Sequence, residues 1–229
     1  MKRVPWMVLF DIDGTLVDSG GRGREAFIRG LERVTGIRDD LAYVSFAGNT
    51  DRRVLEQVMA ERGRRLAEAE IRRIFACVAK ELAALLREAP AREISGAGAF
   101  LAHLAAAGAV LGLVTGNIRE CAYLKLGSAG MEGHFGFGGF GDEHPDREVI
   151  ARSALAAAEA AGHSVGGGRR ICLVGDTPFD VAAGRALGVP VIGVASGKYG
   201  ERDLLEAGAD LAVPDYTDAE RLLAWLVDS

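Results

Sequence analysis

The chain has 229 residues, 49% apolar and 26% charged, and its 27 basic and 32 acidic side chains leave a net charge of −5. That balance excludes a disordered polyelectrolyte, and the acidic excess counts against a surface for nucleic acid or anionic membrane. Three widely spaced cysteines, Cys77, Cys121 and Cys172, form neither a metal-ligand pattern nor a disulfide framework, which points to a reducing cytoplasm. No signal peptide is read at the N-terminus. Residues 94–118 lack Asp, Glu, Lys and Arg, but five glycines interrupt them. They therefore read as a buried helix, a glycine stop at Gly108 and a strand, not as a membrane span. A soluble cytoplasmic protein is expected.

In chain order, residues 4–10 are a short apolar run that reads as a buried strand. The next strand-like run comes only at 110–114. Between them the pattern is helical over 24–34, 51–62 and 66–88. The last segment carries Ile71, Ile74, Phe75, Val78, Leu82 and Leu85 at helical spacing. Further strands are expected at 171–174, 189–194 and, more weakly, 210–213. They alternate with helices at 97–107, 118–129, 147–161, 179–187, 201–207 and 219–227. This alternation predicts an α/β fold, a Rossmann-like parallel sheet with helices on both faces, interrupted by an inserted all-helical domain. The expected division is 1–16 and 90–229 for the α/β core and 17–89 for the insertion. Gly20, Gly21 and Gly23 on one side, and Ala89-Pro90, Gly96 and Gly98 on the other, would be its hinges. Gly166-Gly167-Gly168 reads as a surface turn. The insertion is mildly basic, with 14 basic and 11 acidic side chains over residues 20–89, so the acidity of the chain lies in the core.

Three motifs follow apolar strands. Asp11-Ile12-Asp13-Gly14-Thr15-Leu16 puts two carboxylates at a strand's C-terminal end, where open α/β sheets bind ligands. Gly175-Asp176-Thr177-Pro178-Phe179-Asp180 adds two more at another strand end. Like charges brought together raise each other's pKa unless a cation neutralises them. Four acids offering only oxygen ligands suit a hard octahedral cation, Mg²⁺. Thr115-Gly116-Asn117 opens a helix after a third strand, where a hydroxyl and free N–H groups make an anion pocket.

Together these motifs resemble the haloacid dehalogenase-like hydrolases. The first family motif, Asp-x-Asp-Gly-Thr/Val, matches Asp11–Thr15. The second, a Thr or Ser after an apolar strand, matches Thr115, and the fourth, Gly-Asp-x-x-x-Asp, matches 175–180. The helical insertion is similar to the family's cap domain. The resemblance implies that Asp11 is the nucleophile forming an aspartyl-phosphate and that Asp13 is the general acid and then base. It also implies that Asp11, the Asp13 carbonyl and Asp176, backed by Asp180, hold Mg²⁺. Thr115, Gly116 and Asn117, beside the Gly14-Thr15 turn of the first motif, would bind the phosphoryl oxygens.

The third family motif, a Lys or Arg that steadies nucleophile and phosphate, departs from the usual Lys-Pro, since the chain reads His144-Pro145-Asp146-Arg147 there. Lys125, one of four lysines against 23 arginines, is the expected substitute, because a subgroup resembles the chain from Gly116-Asn117 to Lys125-Leu126. Arg147 is the reserve. At about 1.5 Å per residue Lys125 lies roughly 12 Å along its helix, so the helix must angle inward for it to reach. Ala47-Gly48-Asn49-Thr50-Asp51 is similar to the family's cap loop, with Asn49 and Thr50 as candidate substrate contacts, although Thr50 also fits a helix N-cap. Arg52 and Arg53 lie nearby, whereas Arg64, Arg65, Arg72 and Arg73 read as a solvated helix face.

The expected activity is Mg²⁺-dependent hydrolysis of a small phosphorylated metabolite, in the manner of phosphoglycolate phosphatases. A sugar phosphomutase of the β-phosphoglucomutase kind keeps the same four aspartates and is the alternative. A degenerate binding module would be expected to lack one of them. A dehalogenase does not need Asp13, and a phosphonoacetaldehyde hydrolase would have to recruit Lys80, deep in a long helix.

Overall fold

The structure is a computed structural model that describes residues 6–165 and 170–228. Five-residue β1 (Trp6–Phe10) is buried at every position. It pairs in parallel with β4 (Val110–Val114) on one side and β6 (Arg170–Gly175) on the other, with Leu9 opposite both Gly112 and Leu173. β5 (Gly138–Gly139) lies outside β4, and β7 (Val191–Val194) and β8 (Leu211–Val213) lie outside β6. The parallel sheet therefore runs β5-β4-β1-β6-β7-β8. Strand order reverses beside β1, and that crevice is where ligands enter such sheets.

The pleat sorts the core. Trp6, Val8 and Phe10 join one buried cluster with α4 (Ala97–Ala106), α5 (Arg119–Ser128) and α9 (Ala219–Asp228). Met7 and Leu9 face a second cluster with α6 (Arg147–Ala160), α7 (Pro178–Leu187) and α8 (Glu201–Glu206). Successive strand residues point to opposite faces, so an unbroken apolar run is what a strand covered on both sides requires. The expected α/β fold with helices on both faces is what the structure has.

Between β1 and β4 come α1 (Arg22–Thr35), α2 (Asp51–Ala60) and α3 (Glu68–Glu88). This excursion leaves and returns through an antiparallel ribbon of β2 (Val17–Asp18) and β3 (Arg92–Glu93), with Val17 opposite Glu93. Two-residue strands carry no alternation, and a diglycine strand carries no side chains, so β2, β3 and β5 were invisible to pattern. Helix α3 buries Ile71, Ile74, Phe75, Val78, Leu82 and Leu85. It packs on α1 at Gly30, where an added Cβ would stand 2.7 Å from the Val78 backbone nitrogen. Of the expected hinge glycines, Gly20, Gly21 and Gly96 are left-handed, while Gly23 and Gly98 sit inside α1 and α4. No helix among the described residues is long and apolar enough to cross a membrane. The expected turn at Gly166-Gly167-Gly168 and the first two residues of the 4–10 run lie outside the described residues.

Candidate active site

The sheet brings all three motifs to one crevice. Asp11 continues β1, donating its N–H to the Val174 carbonyl at 2.9 Å. Asp176 follows β6, and Asp180 sits in the first turn of α7. Carboxylate oxygens of Asp11, Asp176 and Asp180 lie within 4.8 Å of one another, all three residues buried. Gly14 makes this approach possible: it is left-handed at φ 72°, and a Cβ there would stand 2.3 Å from Asp176 Oδ2. Asp13 is held apart from this trio, and its carboxylate faces Lys125 instead.

The two candidate third-motif cations take different partners. Arg147, only 7% exposed, places Nη2 2.9 Å from Asp11 Oδ1 and 2.5 Å from Asp180 Oδ1. Lys125 does reach the crevice, with Nζ 2.5 Å from both Asp13 Oδ2 and Asn117 Oδ1. So the cation on Asp11 is Arg147, the reserve of the sequence reading. The reason is position: Arg147 opens α6 directly after the Asp146 N-cap, at the end of that helix nearest the strand ends. Asp13 is completed by Asn117 Nδ2 at 2.8 Å and Ser19 Oγ at 3.1 Å. Asn117 Nδ2 also donates to Thr115 Oγ1 at 2.8 Å, so the second motif and the Asp13 network are one unit.

Charge follows from these contacts. Burial, with Asp180 and Asp11 nearby, raises Asp176 to about 9. Burial raises Asp11 to about 6, with Asp180 and Asp13 adding to it and Arg147 opposing. Asp13 goes the other way: burial is outweighed by the charge and hydrogen bonds of Lys125, Asn117 and Ser19, and its pKa is lowered. Burial also acts against Lys125, but Asp13 and Asp51 more than offset it, and its pKa is raised.

A divalent metal fits this donor set. Asp176 Oδ1 is buried without a hydrogen-bond partner, and three carboxylates share one guanidinium, a deficit of two charges when all are ionised. Oxygen-only ligands at a strand end match a hard cation such as Mg²⁺. Asp180 is anchored from behind, its Oδ2 accepting from the Thr177 N–H at 3.0 Å and hydroxyl at 2.7 Å.

A cavity of about 270 Å³ opens over the aspartates. Asp11, Asp13, Gly14, Gly116, Asn117, Asn49, Lys125, Arg147 and Asp176 border it, together with Ser19, Arg24, Phe46 and Asp51. Of those last four, only Asp51 belonged to a motif read from sequence, as the end of the 47–51 loop, and it was not a candidate contact. Arg24 and Phe46 lie in the helical excursion without a motif, and Ser19 and Asp51 look like ordinary turn and first-turn residues. Thr15, whose hydroxyl is buried and unpartnered, and Thr115 are fully buried and do not border the cavity. Thr50 does not border it either. Its hydroxyl accepts from the Arg53 N–H and donates to the Pro145 carbonyl, each at 3.1 Å, so it caps α2 and ties it to the core.

Its neighbours do the same. Asp51 N–H donates to the Gly116 carbonyl at 2.7 Å, Asp51 Oδ2 accepts from Ile118 N–H at 2.9 Å, and Arg52 N–H donates to Gly141 at 3.0 Å. Arg53 Nε donates to the Pro145 carbonyl at 3.0 Å. The start of α2 is thus sewn to the loops after β4 and β5.

Comparison with known proteins agrees with this architecture. The family model described as haloacid dehalogenase-like hydrolase matches residues 7–188. A phosphoglycolate phosphatase of Agrobacterium fabrum is 29% identical over 215 residues, 92% of this chain and 88% of that one. A hydrolase from Pseudomonas syringae superposes with a TM-score of 0.71 at 21% identity, covering 96% of this chain and 98% of that one. CbbY from Rhodobacter sphaeroides, solved in complex with phosphate, superposes with a TM-score of 0.70 at 19% identity, covering 93% and 95%.

Proposed function

The chain belongs to the haloacid dehalogenase-like hydrolase family, and on that premise we propose that it is a Mg²⁺-dependent phosphatase of a small phosphorylated metabolite, similar to phosphoglycolate phosphatases. The observation that carries this reading is the placement of Asp11: a buried carboxylate at the base of the cavity, steadied by Arg147, with Asp13 on the adjoining wall.

Asp11 attacks phosphorus, and the bond from phosphorus to the leaving oxygen breaks as the new bond forms. Asp13 gives its proton to that oxygen, then takes one from the water that cleaves the aspartyl-phosphate, releasing inorganic phosphate and restoring Asp11. Lys125, Asn117 and Ser19 fix the orientation of Asp13, and a phosphoryl dianion beside it restores the proton affinity that Lys125 removes. Arg147 holds Asp11 in line, the role expected of Lys125. Gly116 and Asn117, which border the cavity ahead of α5, receive the phosphoryl oxygens, with Thr115 buried behind them and bonded to Asn117, and the Gly14-Thr15 turn supports them. Asp11, Asp176 and the Asp13 carbonyl, with Asp180 behind, would hold Mg²⁺, which would supply charge neutralisation for those oxygens. The helical excursion over residues 17–89 acts as the cap, with Asn49 on its substrate-facing loop.

Hydrolysis of an aryl phosphate tests this reading. Activity should require Mg²⁺, vanish with EDTA and be abolished by Asp11→Asn in a protein that still melts cooperatively. Metal-independent turnover, or retained activity in Asp11→Asn, refutes it. Conversion of one hexose phosphate into another without phosphate release would mark a mutase instead.

A further inference from the structure

Three cations border the cavity, and they are not equivalent. Lys125 is paired with Asp13 at 2.5 Å, and Arg147 with Asp11 and Asp180 at 2.9 and 2.5 Å. Arg24 has no carboxylate partner among the described residues. Neutral groups hold it: Nη2 donates to the Asp40 carbonyl at 2.9 Å, and the guanidinium carbon lies 5.5 Å from the centroid of the Phe46 ring. Phe46 is itself fixed edge-on by Phe27, with centroids 5.4 Å apart. The residue before Arg24, Gly23, faces Lys125 so closely that a Cβ there would stand 2.9 Å from Nζ. Arg24 and Phe46 both border the cavity that holds Asp11 and Asp13.

A half-buried guanidinium seated on an aromatic face has lost much of its freedom before any ligand arrives, so an anion meeting it gains without that ordering cost. Its charge is already spoken for by no internal acid. Its planar fork matches a carboxylate in two parallel hydrogen bonds. Arg24 and the aspartates line one cavity of about 270 Å³, so a single ligand can meet both.

We propose that Arg24, seated on Phe46, is the residue that determines specificity: it receives a carboxylate on the leaving group of a short phosphomonoester whose phosphoryl group lies on Asp11. This rests on the phosphatase reading and adds to it the residue that selects a carboxylated substrate. Lys125 does not serve this purpose because Asp13 and Asn117 occupy it.

The test compares kcat/KM for phosphoglycolate and for its uncharged counterpart 2-hydroxyethyl phosphate, in the wild type, Arg24→Gln and Arg24→Lys. A charge-assisted contact implies a wild-type preference for the carboxylated substrate on the order of tenfold or more, expressed mainly in KM. Arg24→Gln should erase that preference and Arg24→Lys should recover part of it, with melting temperatures reporting that both variants fold. A wild type indifferent to the carboxylate, or an Arg24→Gln protein that loses both substrates in equal measure, overturns the proposal. Hydrolysis of an aryl phosphate by the wild type separates the two readings. If it is present while the preference is absent, only the role of Arg24 falls; if it is absent, the phosphatase reading falls and takes this one with it.

Discussion

Removing the guanidinium at position 147 should harm the protein more than removing the ammonium at position 125, in both stability and catalysis. Arg147 is buried between Asp11 and Asp180, themselves 7% and 0% exposed at the side chain. Taking away one partner of a buried pair costs about 3–5 kcal/mol, because the remaining charge stays buried and unpaired. Here Arg147→Met leaves three carboxylates within 4.8 Å with no internal cation, so the upper part of that range applies without metal. Lys125 is as buried as Arg147, but its partner Asp13 has a side chain 40% exposed. After Lys125→Met, water can reach Asp13 but Asn117 Oδ1 loses its buried donor, and the loss should be smaller, about 1–3 kcal/mol. Urea denaturation in EDTA measures both. Mg²⁺ should recover part of the Arg147→Met loss, since it replaces the missing positive charge in the folded state. On an aryl phosphate, Arg147→Met should lower kcat by roughly 10²–10³, the effect of losing one positioned donor at the reacting groups. Equal destabilisation by the two substitutions, or a fall in kcat confined to Lys125→Met, refutes this division of roles.

Metal and pH should be coupled. Asp176 and Asp11 titrate at about 9 and about 6 in the folded chain against 3.8 as the ordinary value. The folded state therefore holds more protons than the unfolded one, and in EDTA stability should fall as pH rises from about 4 to about 9. Mg²⁺ requires deprotonated ligands and should flatten that slope. Thermal melts at pH 5 and pH 8, with and without the metal, check this, and a metal-free protein that is more stable at pH 8 contradicts it. In the helical excursion, Gly30→Ala pushes a Cβ to within 2.7 Å of the Val78 backbone nitrogen. Overpacking of this kind should cost about 1–3 kcal/mol by chemical denaturation, and an unchanged midpoint would show that α1 and α3 can separate freely.

Much of this was legible in the chain because it depends on local chemistry. Short apolar runs ending in Asp11, Thr115 and Asp176 announce strands covered on both faces with polar residues at one end. The spacing of Ile71, Ile74, Phe75, Val78 and Leu82 announces a helix with one buried side. Each feature is written within a few residues, where period and turn chemistry operate. The diglycine β5 and the ribbon of β2 and β3 left no such trace, since two residues cannot show a period and glycine has no side chain to alternate.

The candidate reacting groups are written locally: paired carboxylates after one strand, two more after another and a hydroxyl with its helix start after a third. Which charge answers which depends on how remote segments pack. Lys125 and Arg147 both belong to helices that open near the crevice, and helical period tells only that each can face inward. The reversal of strand order beside β1, together with the packing of α5 and α6, puts Arg147 on Asp11 and Lys125 on Asp13. The same folding carries Arg24 from the first helix of the excursion and Phe46 from the loop before α2, neither marked by a motif of its own, onto the wall of the same cavity. Electrostatic pairing falls off with distance in space, and distance in space between remote segments is set by packing.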